Sequence, residues 1–316
     1  TKSWTGLSEL GGVGKILLSF ATVGAVYCIR SNALCSRGYR VSFIKNSSNL
    51  GKKGITMKLV SVEDKVVDFS QDVLIVPSVG LGNIGQLCCD LLLSTCRDAG
   101  IKVSKVGVLK SRNVLPMVGN DPLGKTTGEM CINLEVFRIP DHNVTILQIR
   151  APIVEGAAGA FAQELATWSK SSKFSCLVLV GAADSSSNFE QEVMLHQFRH
   201  IKTASIPPEL SERLAKTGLV ELVQSQLLAA SSKTARLPLS KGGLMTHLHR
   251  ICASDNLPFL GLVLFCKEGF NVPEACMMTA AVNLLLNVIQ PAPQRWTPPA
   301  TWQYLDGAAP LQGSLY

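Results

Sequence analysis

The sequence predicts a single α/β domain built on a mixed, mostly parallel sheet flanked by helices. Three observations carry this. Hydrophobic residues make up 47% of the 316 and charged residues only 17%, which supplies a sizeable core and excludes a disordered, solvating chain. From Asp72 onward, short β-rich runs alternate with stretches of helical length. Most of those runs are separated by a helical stretch, the arrangement that parallel crossover connections require.

In chain order, strands are expected at 73–76, 103–109, 131–139, 144–149, 177–180 and 259–265. Each is a run of Val, Ile, Leu or Phe of strand length. The pair 131–139 and 144–149, joined by Pro140-Asp141-His142-Asn143, reads as an antiparallel hairpin. Helices are expected at 84–99, 158–169, 208–229, 244–253 and 274–289. The last has a readable start, with Asn271 placed to cap it, Pro273 in the first turn and Glu274 three residues after the cap. Its body, 275–289, is almost continuously apolar and so belongs in a core on most of its faces, an interaction surface being the sharper reading. Residues 229–234 read as a loop. The tail 291–316, with Pro291, Pro293, Pro298, Pro299 and Pro310, cannot be a long helix.

The formal charge of +7 is unevenly placed. Residues 1–56 hold eight basic side chains against the single acid Glu9, leaving 22 charges of each sign in 57–316. A general electrostatic case for nucleic acid or membrane is therefore absent outside that first stretch. The apolar run 16–29 after Lys15 is too short to span a bilayer comfortably and has the length of a signal-peptide core. The chain begins at Thr1, and Met57 opens a natural-looking start, so 1–56 is expected to be a disordered or spurious extension ahead of a domain at 57–316. The ten cysteines contain no C-x-x-C pair and sit mostly in apolar runs, as reduced core residues do.

Two motifs imitate cofactor sites. Gly80-Leu81-Gly82-Asn83-Ile84-Gly85 is a literal G-x-G-x-x-G between a strand and a helix, where glycines admit a pyrophosphate to the helix N-terminus. It lacks the acidic ribose ligand, because the strand 103–109 ends in Lys110, Ser111 and Arg112, which would at best suit a 2′-phosphate. Gly119–Thr126 matches G-x-x-x-x-G-K-[ST], but a strand pattern rather than a helix follows Thr126. His196 and His200 stand four apart without a third ligand, and His247 and His249 point to different faces of a helix. Ser185–Ser187 is not a nucleophile elbow. An NADP- or ATP-binding α/β enzyme using Gly80–Gly85 or Gly119–Thr126 is the alternative function on these grounds. No acid/base pair is placed for catalysis.

The same stretches carry a resemblance. Pro77–Leu87, with Gly82, Asn83, Gly85 and Gln86, followed by Asp90-Leu91-Leu92, resembles the N-terminal signature of the proteasome assembly chaperone 2 family. So do Pro116-Met117-Val118-Gly119-Asn120-Asp121-Pro122, Glu268–Ala275 and Arg295–Trp302. The match runs from about Met57 to the end and is loosest over 184–254. The family pattern needs neither a glycine at Gly80 nor the Gly124-Lys125 pair. The resemblance implies a mixed α/β sheet and a non-enzymatic, ATP-independent chaperone without a cofactor. It also implies pairing with proteasome assembly chaperone 1, binding of proteasome α subunits, promotion of the α ring and suppression of aberrant α-ring dimers, in cytoplasm and nucleus. Some factors of this system dock C-terminal hydrophobic-Tyr-X tails between α subunits. This chain ends in Leu315-Tyr316 with no residue after the tyrosine, a departure from that pattern.

Overall fold

The computed structural model of the protein describes residues 57–62, 67–124, 129–184, 197–222 and 243–304, with the side chains of Gln303 and Tyr304 left out. The expected extension 1–56, the loop 229–234, Ser185–Ser187, His196, Lys125, Thr126, Leu315 and Tyr316 lie outside these. The described chain runs β1 (Lys58–Ser61), β2 (Val73–Pro77), α1 (Ile84–Asp98), β3 (Ser104–Lys110), β4 (Val118–Asn120), β5 (Met130–Ile132), β6 (Leu134–Ile139), β7 (Val144–Ile149) and α2 (Ala158–Ser171). It continues with β8 (Cys176–Asp184), β9 (Phe198–Lys202), α3 (Pro208–Lys216), β10 (Val220–Glu221), α4 (Leu244–Ser254), β11 (Phe259–Cys266) and α5 (Val272–Leu286).

Nine strands form one mixed sheet in the order β1-β3-β6-β7-β2-β8-β11-β9-β10, and β4 pairs with β5 in a separate ribbon. The parallel heart is β7-β2-β8-β11. Its strands are largely apolar, as burial on both faces demands, with Thr145 and Gln148 of β7 buried among them, and β11 is buried at every position. Around it the pairing turns antiparallel, at β6 with β7, β3 with β6, β1 with β3 and β9 with β11. Parallel pairing is therefore confined to the centre and to β9 with β10, less than a mostly parallel sheet would have. The hairpin β6–β7 forms as expected. Pro140 starts its tight turn and Asn143, at φ 51°, closes it in the left-handed region that asparagine tolerates.

Helices cover both faces. Ile84, Cys88 and Leu92 of α1 join Leu210 and Leu214 of α3 and Met278 and Val282 of α5 in one core. Phe161 and Leu165 of α2 join Leu248 and Cys252 of α4 in the other. The alternation is visible along β2, where Leu74 and Val76 face the second core and Ile75 the first. Phe69, Trp168 and Phe174 stack within it, at ring distances of 5.1 to 6.1 Å.

Several local expectations change in three dimensions. The 208–229 helix stops at Lys216, where Thr217 Oγ1 donates to the Leu214 carbonyl at 2.6 Å and the chain enters β10. The 131–139 strand breaks at Asn133, leaving β5 to pair with β4 and β6 with β7. The short strands β1, β4, β9 and β10 have no strong sequence signal, because pairing rather than propensity makes them. Asn271 takes the N-cap position of α5 as expected, and its carbonyl accepts from the Ala275 amide at 3.0 Å, but its side chain makes no capping hydrogen bond. The side-chain amide donates back to the Lys267 carbonyl at 3.0 Å and serves the turn before the helix instead.

Candidate interaction surface

The turn from β2 into α1 explains its own glycines. Gly82 has φ +60°, and a Cβ there would lie 2.6 Å from the Asn271 side chain. At Gly85 a Cβ would lie 2.5 Å from the Val180 carbonyl oxygen. That carbonyl already accepts a hydrogen bond from the Ser78 amide at 2.7 Å. Asn83 follows at φ 52°, and around Gly80 there is open space. The last two glycines of G-x-G-x-x-G are thus needed for close approach of the protein to itself. Asn271 stands against Gly82, where the dinucleotide reading requires a pyrophosphate. Gln86 is tied in through its backbone, whose carbonyl accepts from Gln148 Nε2 at 3.0 Å.

The second block forms the ribbon. Pro116 precedes β4, Gly119 and Asn120 lie within it, and Asn120 pairs with Met130 of β5. Gly119 meets only ordinary contacts, so packing does not require a glycine there. The next described element after Gly124 is a strand, not a helix, which leaves the phosphate-loop reading without its helix N-terminus. His200 lies on β9 rather than on a helix. His247 faces Gly159 of α2, whereas the His249 ring lies 6.1 Å from that of Phe259 at a tilt of 59°, on different sides of α4 as expected. No group of three or more histidine, cysteine or acidic residues among the described ones is arranged to hold a metal. The eight described cysteines are unbridged, and burial pushes Cys88, Cys96, Cys176 and Cys252 up to about 12, which keeps those thiols protonated.

A buried ionic cluster, absent from the sequence reading, holds this end of the sheet. Arg150 pairs with Asp90 through two hydrogen bonds, Nη2 to Oδ1 at 2.9 Å and Nη1 to Oδ2 at 3.1 Å. It also lies 3.5 Å from Glu135, which Lys105 bonds from the other side. Burial opposes the charge on Arg150, but Asp90 and Glu135 outweigh it and raise its proton affinity. At the opposite end of the strands, buried Asp72 accepts from Arg138 at 2.7 and 2.8 Å and from Thr145 at 2.6 Å. Only the folded arrangement brings these groups together; Asp90 alone, as an acid in an apolar helix, hinted at a partner.

What remains open to solvent is more telling. The C-terminal segment crosses the outer side of α1. The Thr297 amide donates to Thr95 Oγ1 at 3.0 Å, Thr297 Oγ1 to Asp98 at 2.8 Å, and Trp302 is buried on Leu87, Leu91 and Ala275. Trp302 also packs on the start of the neighbouring α5, but among the described residues nothing covers the side of α5 that faces away from it. Pro273, Met277, Ala280, Leu284 and Asn287 recur at helical spacing along its exposed side, with Met277 50% and Leu284 60% exposed. Phe270, 48% exposed, extends the stripe at its start. At its far end opens a groove of about 690 Å³, lined by Leu285, Leu286 and Asn287, by Pro207, Pro208 and Arg213 beside α3, and by the β6–β7 turn. The sequence places this helix in the core on most of its faces, with an interaction surface as the sharper alternative; Ala275, Met278, Val282 and Leu285 are buried, and the lack of any charged residue over 275–294 is the signal that the remaining face shares.

An apolar ridge beside an open groove is the candidate interaction surface of this fold. The PAC2 family model matches residues 74–289, most of the chain. The chain belongs to the PAC2 family. It is 29% identical over 256 residues to proteasome assembly chaperone 2 of Danio rerio, covering 79% of this chain and 96% of that one. To proteasome assembly chaperone 2 of Homo sapiens it is 27% identical, covering 76% and 94%. Among solved structures, an archaeal proteasome activator from Pyrococcus furiosus superposes with a TM-score of 0.50 at 11% identity, over 73% of this chain and 89% of that one. That likeness shows a shared fold. Among the described residues, no helix of this PAC2-family chain is long and apolar enough to cross a membrane.

Proposed function

We propose that the protein is a chaperone for assembly of the core proteasome, acting as a heterodimer with proteasome assembly chaperone 1. Together they bind α subunits, promote the α ring and prevent aberrant α-ring dimers, in cytoplasm and nucleus. The family match over 74–289, with relatives named for proteasome assembly across nearly their whole length, is the observation that carries this reading. The physical task suits it. An α ring exposes self-complementary faces, and a folded cap covering one of them blocks wrong pairing by occupancy, without chemistry. The role is therefore non-enzymatic, needing neither a bound nucleotide nor a metal.

Reconstitution tests it. The full chain, co-expressed with proteasome assembly chaperone 1, is expected to purify as a heterodimer that captures α subunits and raises the yield of single α rings. A chain that pairs with neither, or that binds NADP or ATP at micromolar concentration by calorimetric titration, overturns the reading.

A further inference from the structure

We infer that the exposed ridge of α5, from Phe270 through Met277 and Leu284 to the groove at Asn287, is the seat of the paired chaperone subunit. The inference rests on the heterodimer proposed above. The occupant it requires is a folded subunit presenting an uncharged, apolar helix face.

Three observations fix that chemistry. The first is charge. Neither α5 after Glu274 nor the segment to Gln294 carries Asp, Glu, Lys or Arg, whereas Arg97 and Asp98 lie on α1, Lys170 on α2, Glu212 and Lys216 on α3, and Arg250 on α4. A charged or strongly polar partner would lose hydration against this stripe and gain no ion pair in return.

The second is shape. The ridge from Pro273 to Leu284 is about 17 Å long at the rise of an α-helix. It ends beside the groove, where Leu285 and Leu286 meet the polar side chains of Asp141, Glu209 and Arg213, so that the ridge is the apolar part of the surface and the groove its mixed, polar margin. An apolar centre with a polar rim is the anatomy of a protein–protein interface.

The third is area. Phe270, Met277 and Leu284, each about half exposed, leave roughly 300 Å² open, well short of the roughly 800 Å² per partner of a stable interface. An extended peptide on the ridge would stop at that area. A folded subunit, with a ridge of its own to enter the groove, reaches the remainder. The other side of the α1–α5 pair points the same way, because there the chain uses its own Trp302 and Thr297 as cover.

The test uses the full chain co-expressed with proteasome assembly chaperone 1, in three forms: unsubstituted, Met277→Glu with Leu284→Glu, and Met277→Leu with Leu284→Met. Affinity is read by sedimentation or calorimetric titration, and folding by the melting temperature of each chain alone. A separate Ala280→Lys variant places one charge in mid-stripe should the double variant fold poorly. The glutamate pair is expected to weaken the heterodimer at least about 100-fold with an unchanged melting temperature, since buried unpaired charges are costly, and the conservative pair to retain it. Undiminished binding by the folded glutamate and Ala280→Lys variants overturns the inference and leaves the proposed function standing. An unsubstituted chain that does not bind chaperone 1 overturns both. Loss of α-subunit capture, or of self-association, with chaperone 1 binding intact would assign the ridge to those occupants and overturn the inference.

Discussion

At Gly85 the backbone of α1 runs so close to β8 that no side chain fits, whereas Gly80, two residues before Gly82, faces open space. Gly85→Ala is therefore expected to destabilise the fold by roughly 1–3 kcal/mol, because the clash is with a carbonyl oxygen that the sheet holds in place. Gly80→Ala should be neutral or slightly stabilising. Chemical denaturation of the two variants checks the pair. Equal effects would mean that the turn is shaped by something other than close approach.

Arg150 presents the electrostatic counterpart. Arg150→Leu leaves Asp90 and Glu135 buried without their shared cation, and is expected to cost about 3–5 kcal/mol. A loss below about 1 kcal/mol would show that water reaches the cluster.

Two histidines set a pH dependence. Burial lowers the pKa of His200 and of His249 below the ordinary 6.5. Each stays neutral in the folded chain where the unfolded chain would already bind a proton. Protonation thus favours unfolding, and stability is complete above pH 6.5 and declines as the pH falls below it. The melting temperature is expected to be lower at pH 5.5 than at pH 7.5, and scanning calorimetry at the two values decides it.

At the scale of elements, α1 and α5 form one packed pair whose outer sides are treated differently. The strap over α1 depends on Trp302, which fills the space above Leu87 and Leu91. Trp302→Ala is expected to cost about 3 kcal/mol through the cavity it leaves. It should also raise hydrogen exchange over 295–304, which a loss spread evenly through the molecule would not do. The end of α5 is secured by Asn283, whose side chain donates to the Ile289 carbonyl at 3.1 Å and accepts from the Ile289 amide at 2.8 Å. This bracket holds the exposed ridge at a fixed angle to the groove. Sequence pattern located both helices to within a few residues, α5 by Pro273 and Glu274 at its start and by the length of its apolar run. It could not tell that one outer side is covered, since the cover comes from residues some 200 positions away along the chain.

For the whole molecule, the near-neutral charge of 57–316 leaves association to burial and shape rather than to long-range steering. Met57 is itself buried in the core that contains α2 and α4, and β1 follows at once. A chain starting at Met57 is expected to fold with the stability of the full chain and to pair equally well. A loss above about 1 kcal/mol on removing residues 1–56 would contradict this.

The sequence by itself determined the α/β class, the β6–β7 hairpin, the central strands and the starts of most helices. Those features follow from local periodicity and turn chemistry, which neighbouring residues carry. It also showed, through the missing ribose acid and the missing helix after Thr126, that neither nucleotide motif had its context. Only the tertiary structure decided the rest. It set the antiparallel flanks of the sheet, made strands of the weak segments β1, β9 and β10, and turned the side chain of the N-cap residue Asn271 away from the α5 amides, toward Lys267 and Gly82. It gathered Lys105, Glu135, Arg150 and Asp90 into one buried cluster, and it left Met277 and Leu284 facing solvent. The physical reason is common to all of these: each depends on which distant segment lies alongside, and burial is a property of neighbours in space rather than neighbours in sequence.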